Sequence, residues 1–378
     1  MSDKAQQQPE VPTTIADSNV MSKYKDAATI ANAVLDKVIQ QCVDGAKILD
    51  ICVNGDNAIV EATKAVYTKK KFSKGIGFPT TISVNNCVAH FSPLPSDPES
   101  KETLKDGDVA KIQLGVQIDG FCSTVAHTLV VGASAEKPVT GEKADVIQAA
   151  HTALEAACRL IRPGNKNMEV TKIVDDISKT FDTKPVEGML THQQLKDKTD
   201  GKKQIILNPT ESHMRDFERC TFEENEVYAV DILISSGEGK VRQLNARTTV
   251  YKKTDSRYQL KMNASRQVLH EIKNTAGHFP FSLRQLTDER KSRMGIVECA
   301  KHQCVIPYDV VYEREGAVVA QFLTTLLVTK NGNVMATDPK FNPAVYKSDK
   351  SIKDEEILKL LATPLKEPSA NKKKAEKK

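Results

Sequence analysis

The stretch 109–131, VAKIQLGVQIDGFCSTVAHTLVV, constrains the fold more than any other part of the chain. Asp119-Gly120 is a two-residue turn signal flanked by β-branched and apolar residues, the pattern of an antiparallel hairpin. Pairing the arms across that turn sorts the side chains by face. Ile112, Leu114, Val116, Ile118, Phe121, Val125, Leu129 and Val131 fall on one face and form a core surface. Gln113, Gly115, Gln117, Cys122, Thr124, Ala126 and Thr128 fall on the other. That second face is small and polar and holds no carboxylate. The floor of a cleft and a solvent-facing surface both suit it, and only the rest of the chain decides between them.

Helical spacing precedes the hairpin. Ile30, Val34, Val38 and Ile39 recur at that spacing within 19–67, predicting two helices broken near Asp44-Gly45. KKKFSKGIGFPTTISVNNCVAHFSPL then reads as loop, strand and loop, punctuated by Gly75, Gly77, Pro79 and Pro93. Beyond the hairpin, a long helix is predicted over 142–161, stopping at Pro163-Gly164, and a second over 167–181. A lysine-rich stretch, 194–203, interrupts the next section. FEENEVYAVDILISSGEGK follows as a strand and a Gly-rich turn. KDGDVAKIQLGV and EENEVYAVDILI share a layout: an acidic turn, a valine, then an alternating strand, with Gln113 standing where Asp231 stands in the second. This echo suggests two related halves, each of helices and antiparallel sheet. Segment 255–302 is helical in pattern, 310–332 gives two strands joined at Glu315-Gly316, and 351–361 gives a short amphipathic helix. ILKLL within that helix resembles an LxxLL motif with isoleucine first, although packing on its own domain is the expected role.

With 378 residues, 39% of them hydrophobic, the chain can build one large core or two ordinary ones. No apolar run approaches the roughly 20 residues of a membrane span. Residues 1–17 carry little apolar content and are expected to be a disordered tail without a signal-peptide apolar region, so a soluble, non-secreted protein is expected. The eight cysteines are scattered and form no CxxC pair, which fits buried free thiols in a reducing compartment. Cys299, His302 and Cys304 form the tightest metal-like cluster, but no second half of a zinc site lies nearby. Phosphate-binding loop, nucleophile-elbow and HExxH patterns are all absent.

The net charge of +5 is unevenly placed. Segment 252–302 carries eleven Lys/Arg against five Asp/Glu, and the tail 364–378 carries six lysines against two glutamates. The remainder of the chain is net negative. Basic charge concentrated in one internal segment and one tail suits a polyanionic partner.

His90 sits in a loop between strands, where functional residues collect, and the residues around it carry a resemblance. GFPTTISVNNCVAHFSP, GDVAKIQLG, EGMLTHQQL, NEVYAVDILISSGEGK, MGIVECAKH and GAVVAQF occur in order across about 18–350. Together they resemble the methionine aminopeptidase (M24) superfamily, and more closely its proliferation-associated, ErbB-receptor-binding branch, which also includes a curved-DNA-binding protein. The resemblance implies an α+β pita-bread fold: two pseudo-symmetric αβ halves around one cleft over 18–350, with a type-2-like helical insertion at 252–302. A C-terminal helix and lysine-rich tail would follow at 351–378.

The active peptidases hold two metal ions with two aspartates, one histidine and two glutamates. Carried across by resemblance, the aspartates fall on Gln113 and Thr124, the histidine on Met189, and the glutamates on Asp231 and Leu323. His90 matches the family's substrate-contacting histidine. A neutral Gln and Thr supply neither the charge nor the geometry of a dinuclear site. The expectation is therefore a pseudoenzyme with no metal and no cofactor, whose cleft is a degenerate active site. The resemblance also implies ribosomal (large-subunit), RNA or DNA partners, including curved DNA, with protein partners as well, no membrane, and a place in both cytoplasm and nucleus, nucleolus included. Candidate contacts are Lys252, Lys253, Arg257, Lys261 and Arg266, with Lys372, Lys373 and Lys374 in the tail, all expected to lie away from the cleft. Two rival readings are an active metal-dependent methionine aminopeptidase and a protein–protein adaptor that uses the cleft.

Overall fold

The computed structural model describes residues 13–366. Its principal elements in chain order are α1 (Ser18–Gln41), α2 (Ile48–Ala65), β1 (Lys74–Val84), β2 (Val109–Ile118), β3 (Phe121–Val130), α3 (Glu142–Leu160), α4 (Asn167–Thr180), β4 (Leu190–Gln193), β5 (Gln204–Ile206) and β6 (Val227–Ser235). They continue with β7 (Val250–Lys253), α5 (Asn263–Thr275), β8 (Phe281–Ser282), α6 (Glu289–Lys301), β9 (Val305–Tyr308), β10 (Val319–Thr329), β11 (Gly332–Met335) and α7 (Glu355–Ala362).

The 109–131 stretch is the expected hairpin. β2 and β3 pair antiparallel, with Gln117 opposite Cys122, Gly115 opposite Thr124 and Gln113 opposite Ala126. Asp119 (φ 55°) and Gly120 (φ 84°) are both left-handed, as a two-residue turn that matches strand twist requires. Lys23 and Lys196 pair with the Asp119 carboxylate. The Asp197 amide donates to the Gly120 carbonyl at 2.7 Å, which lays the 194–203 loop against the turn.

Ile112, Leu114, Val116, Ile118, Val125, Leu129 and Val131 share a core with Ala31, Val34, Leu35 and Val38 of α1 and Ile51 and Ile59 of α2. Phe121 joins a separate small cluster with Ile15, Val20 and Tyr24. Residues 13–17 are thus built into the fold rather than belonging to a free tail: Ile15 is buried, and the Asp17 carboxylate accepts the amides of Asn19 and Val20 to cap α1.

The large sheet has nine strands, with central order β1-β2-β3-β10-β6-β4-β5. Every pairing in it is antiparallel. α3 and α4 cover its second half, where Val146, Leu154, Val170 and Val174 pack on Val230, Ile232, Ala320 and Phe322. Each half is a helix pair on part of one sheet, as the sequence echo suggests. Leu323 stands opposite both Ala126 and Asp231. The polar face of the hairpin and the odd-numbered face of β6 are therefore one continuous surface, turned away from the helices.

The insertion differs from a purely helical segment. α5 and α6 lie with a three-stranded antiparallel sheet, order β8-β7-β9. It has its own core, which includes Tyr251, Leu260, Val268, Ile272, Phe281, Ile296, Cys299 and Cys304. Boundaries of 252–302 cut through this unit, because its outer strands begin at Val250 and end at Tyr308. Arg284 anchors it to the first half. This guanidinium donates to Asp56 Oδ2 (2.8 Å), Ser92 Oγ (2.6 Å) and the Pro93 carbonyl (3.3 Å). Both members of the Arg284–Asp56 pair are nearly sealed from water. At the C-terminus, Ile357, Leu360 and Leu361 of ILKLL pack on the core of the second half, so the motif is structural.

Candidate functional site

The small side chains of the hairpin's polar face leave room above the sheet. The result is a cleft of about 260 Å³, and His90, Gln113, Thr124, Met189, Asp231 and Leu323 all line it. The six residues expected to share a pocket are thus brought together from separate strands and loops.

Asp231 lies in β6 and points onto this floor. Gln321 Nε2 donates to its two carboxylate oxygens at 2.9 and 3.1 Å and approaches Gln113 Oε1 at 3.5 Å. Among the described residues, no cationic side chain pairs with Asp231. Burial lifts its carboxyl from the ordinary 3.8 to about 7, against the smaller opposing pull of the Gln321 amide. Gln113, Thr124 and Leu323 are all buried.

His90 follows the short strand Cys87–Ala89 and adopts a left-handed conformation, φ 68°. Its Nδ1 stands 3.1 Å from the Asp309 carbonyl, which only accepts, so Nδ1 carries the hydrogen and Nε2 keeps a lone pair. Burial holds the imidazole below its ordinary pKa. Its ring meets Tyr308 edge-on at 5.2 Å and lies 6.1 Å from Phe78, building an aromatic wall.

Several residues at the cleft escaped the sequence reading. Gln321 is two positions before Leu323 on the same strand face, so strand alternation alone would have placed it. His192, Gln194, Thr199 and Asp200 come from β4 and the 194–203 loop, which the sequence presented only as a lysine-rich interruption.

The insertion does not stand away from the cleft, because its Pro280 and Tyr308 form part of the wall. Its basic residues also divide. Lys252 is buried and its ammonium pairs with Asp200 at 2.5 Å, which removes it from the candidate nucleic-acid contacts. Lys253 is half-buried and donates to the Thr254 carbonyl. Arg266 is exposed, but one guanidinium nitrogen donates to the Leu260 and Lys261 carbonyls. Arg257 and Lys261 are exposed, as are Lys273, Arg290, Lys291 and Lys301, which the sequence reading had not singled out. Lys372, Lys373 and Lys374 lie outside the described residues. Cys299 and Cys304 are buried thiols, and His302 stacks on Tyr258 with ring centres 3.8 Å apart, so this trio is packing rather than a metal centre.

Residues 22–244 match metallopeptidase family M24. The chain belongs to family M24. Within M24 it is 48% identical to the curved DNA-binding protein of Schizosaccharomyces pombe, over 97% of this chain and 96% of that protein. It is 43% identical to proliferation-associated protein A of Dictyostelium discoideum, over the whole of this chain and 97% of that one. A solved thermophilic Arx1 superimposes with a TM-score of 0.88 at 35% identity, covering 93% of this chain and 100% of that structure. The fold is the pita-bread fold of M24, in its proliferation-associated branch.

Membership of M24 raises the question of a metal pair. Hard divalent ions need several anionic oxygens within reach. The positions that the resemblance assigns to metal ligands hold two neutral polar side chains, a thioether, a leucine and one carboxylate already capped by an amide. These residues do not fit a dinuclear site. No group of three His, Cys, Asp or Glu side chains among the described residues is placed to hold a metal ion.

Proposed function

We propose that this protein is a non-catalytic M24 scaffold that binds structured nucleic acid, ribosomal RNA first, through its insertion and C-terminal tail. The observation that carries the reading is the donor set of the cleft: Asp231 is the sole carboxylate among the five positions where the peptidases hold metal. Without a metal-bound hydroxide the cleft has no activated nucleophile for a peptide bond.

Binding is then assigned to the exposed charge. Arg257, Lys261, Lys273, Arg290, Lys291 and Lys301 stand on one small unit, which Arg284 ties to the main body through Asp56. The curved DNA-binding protein of S. pombe, named for a nucleic-acid ligand, matches the insertion as well as the rest of the chain. Contacts of this type read phosphate rather than base edges, so affinity should fall steeply with salt. Presence in both cytoplasm and nucleus belongs to the same reading.

Sedimentation of cell extract through sucrose gradients, at low and moderate salt and with or without nuclease, tests it. Co-migration with large ribosomal subunits that weakens with salt is expected. Charge reversal at Lys261, Arg290 and Lys291 together should weaken RNA binding and lower the salt slope by about one for each phosphate no longer neutralised. Migration as free protein in every gradient, with no salt-sensitive binding of purified RNA or DNA, would overturn the proposal.

A further inference from the structure

Where the insertion meets the 93–101 loop of the first half, arginines gather around one serine. Ser96, Arg247, Glu289, Arg290 and Arg293 line an open pocket of about 690 Å³ that shares no residue with the cleft. Ser96 is exposed and sits in a tight turn, in which the Leu94 amide donates to Asp97 Oδ2 (2.9 Å) and the Asp97 amide to the Leu94 carbonyl (3.0 Å). Its hydroxyl donates to the Glu289 carboxylate and accepts from Arg293 Nη1. Arg290 lies three residues before Arg293 on α6 and shares its face. It is exposed, and among the described residues its guanidinium has no carboxylate within ion-pair distance. Arg247 Nε stands 3.1 Å from Asp97 Oδ1, with its side chain half exposed. The positive end of α6, which begins at Glu289, adds to the same field. The chain around the serine reads Ser96-Asp97-Pro98-Glu99, with carboxylates one and three places after the hydroxyl. Acid-directed protein kinases, which recognise substrates by charge pattern, read that spacing.

We propose that Ser96 is a phosphorylation site whose phosphate is held by Arg290, Arg293 and Arg247, fastening the 93–101 loop to α6. In the modification Ser96 Oγ attacks the γ-phosphorus of ATP. A new Oγ–P bond forms as the bond from that phosphorus to its bridging oxygen breaks, ADP leaves, and the hydroxyl proton passes to the base of the kinase. The product carries close to two negative charges and three acceptor oxygens, which the planar forks of arginine match. Two carboxylates oppose it. Asp97 keeps its own partners, the Leu94 amide and Arg247 Nε, which leaves the terminal nitrogens of Arg247 for the phosphate. Glu289 touches the hydroxyl directly, but it stands 3.7 Å from Arg293 with its side chain 27% exposed, so it turns to water when the phosphate takes Arg293. The proposal concerns this junction alone and holds whether or not the insertion binds nucleic acid.

Treatment of the purified, folded full chain with ATP, magnesium and casein kinase II, an acid-directed serine kinase, tests the site. Mass spectrometry should place a phosphate on Ser96, and Ser96→Ala should lose it. Phosphorus NMR of the product across pH should then show a second ionisation at least ~0.5 pH unit below the value of about 6 of a free phosphoserine, because the guanidiniums favour the dianion. Arg290→Ala with Arg293→Ala should return it to the ordinary value. Glu289→Gln, which removes the opposing carboxylate, should lower it further, so the outcome does not hang on one variant. Hydrogen exchange at 289–301 should slow in the modified chain. Inorganic phosphate titrated against the unmodified chain separates a covalent phosphate from a free one, and no saturable binding is expected. Absence of phosphate on Ser96, a phosphate that titrates as a free phosphoserine does, a lowered value that the arginine substitutions leave unchanged, or saturable binding of inorganic phosphate by the unmodified chain would overturn the proposal.

Discussion

Replacing Asp231 by asparagine is expected to stabilise the protein above neutral pH, an unusual outcome for a polar residue in a cleft. Asparagine has nearly the same shape and can still accept from Gln321 Nε2 through its carbonyl oxygen. What it removes is a carboxylate that burial disfavours. The carboxyl titrates at about 7 in the folded protein instead of the ordinary 3.8. Between these values the folded state keeps the proton that the unfolded state has released, so stability falls as pH rises through that window and levels off above about 7. At roughly 1.4 kcal/mol per pH unit, the full displacement corresponds to about 4 kcal/mol. Water entering the cleft lowers that ceiling, so a gain of about 2–4 kcal/mol is expected for Asp231→Asn near pH 8, and close to none near pH 3.5. Urea unfolding of both proteins at the two pH values, in EDTA, measures it. A substitution that destabilises near pH 8 by more than about 1 kcal/mol would refute the reasoning, because it would mean that the carboxylate has a favourable charged partner in the folded protein.

Lys111 offers the mirror case. It is 1% exposed and donates to the Asn85 carbonyl at 2.9 Å, and burial lowers its amine from 10.5 to about 7. Below pH 7 both states are charged and the full burial cost applies, while from 7 towards 10.5 the folded state sheds its proton first and the cost declines. Lys111→Met should therefore stabilise by about 2–4 kcal/mol near pH 6 and by less near pH 9.5, as read from urea midpoints. Arg284→Met strands Asp56 in a buried site and should cost about 3–5 kcal/mol, with hydrogen exchange rising across the insertion, and the double variant with Asp56→Leu should recover part of that loss. Gly120→Val should cost about 2 kcal/mol or more by thermal melting, since φ is +84° and an added Cβ would run into the Asp197 carboxylate.

The sequence was most legible where a short-range rule had nothing to compete with. The Asp119-Gly120 turn and the period-2 alternation around it fixed the hairpin register, hence which face carries Gln113 and Thr124. The helix boundaries of α3 and α4 followed from Pro163-Gly164 and apolar spacing, and agree with the structure to within a residue. Two residues on the hairpin's core face, Ser123 and His127, are polar and give no apolar signal for that face. Ser123 donates to the Tyr24 carbonyl, and His127 Nδ1 lies 2.6 Å from the Pro339 carbonyl, partners too distant in sequence to be anticipated. Lys252 failed for the same reason. A lysine in a basic run reads as surface until the fold brings Asp200 beside it. In the insertion, β8 has two residues and β9 includes a proline, too little pattern to compete with the helical signal of α5 and α6. The grouping of His90, Met189, Asp231 and Leu323 in one cleft was legible only through family resemblance, because no local pattern links positions so far apart in the chain.

Whether the cleft has the charge to hold a metal pair decides between a binding scaffold and a peptidase. The most direct test is the metal content of purified protein equilibrated with manganese or cobalt and then desalted, measured alongside methionine release from a peptide. Substoichiometric metal and no release above background are expected. Two metal ions retained per chain, with methionine release that disappears in Asp231→Asn, would contradict the non-catalytic reading.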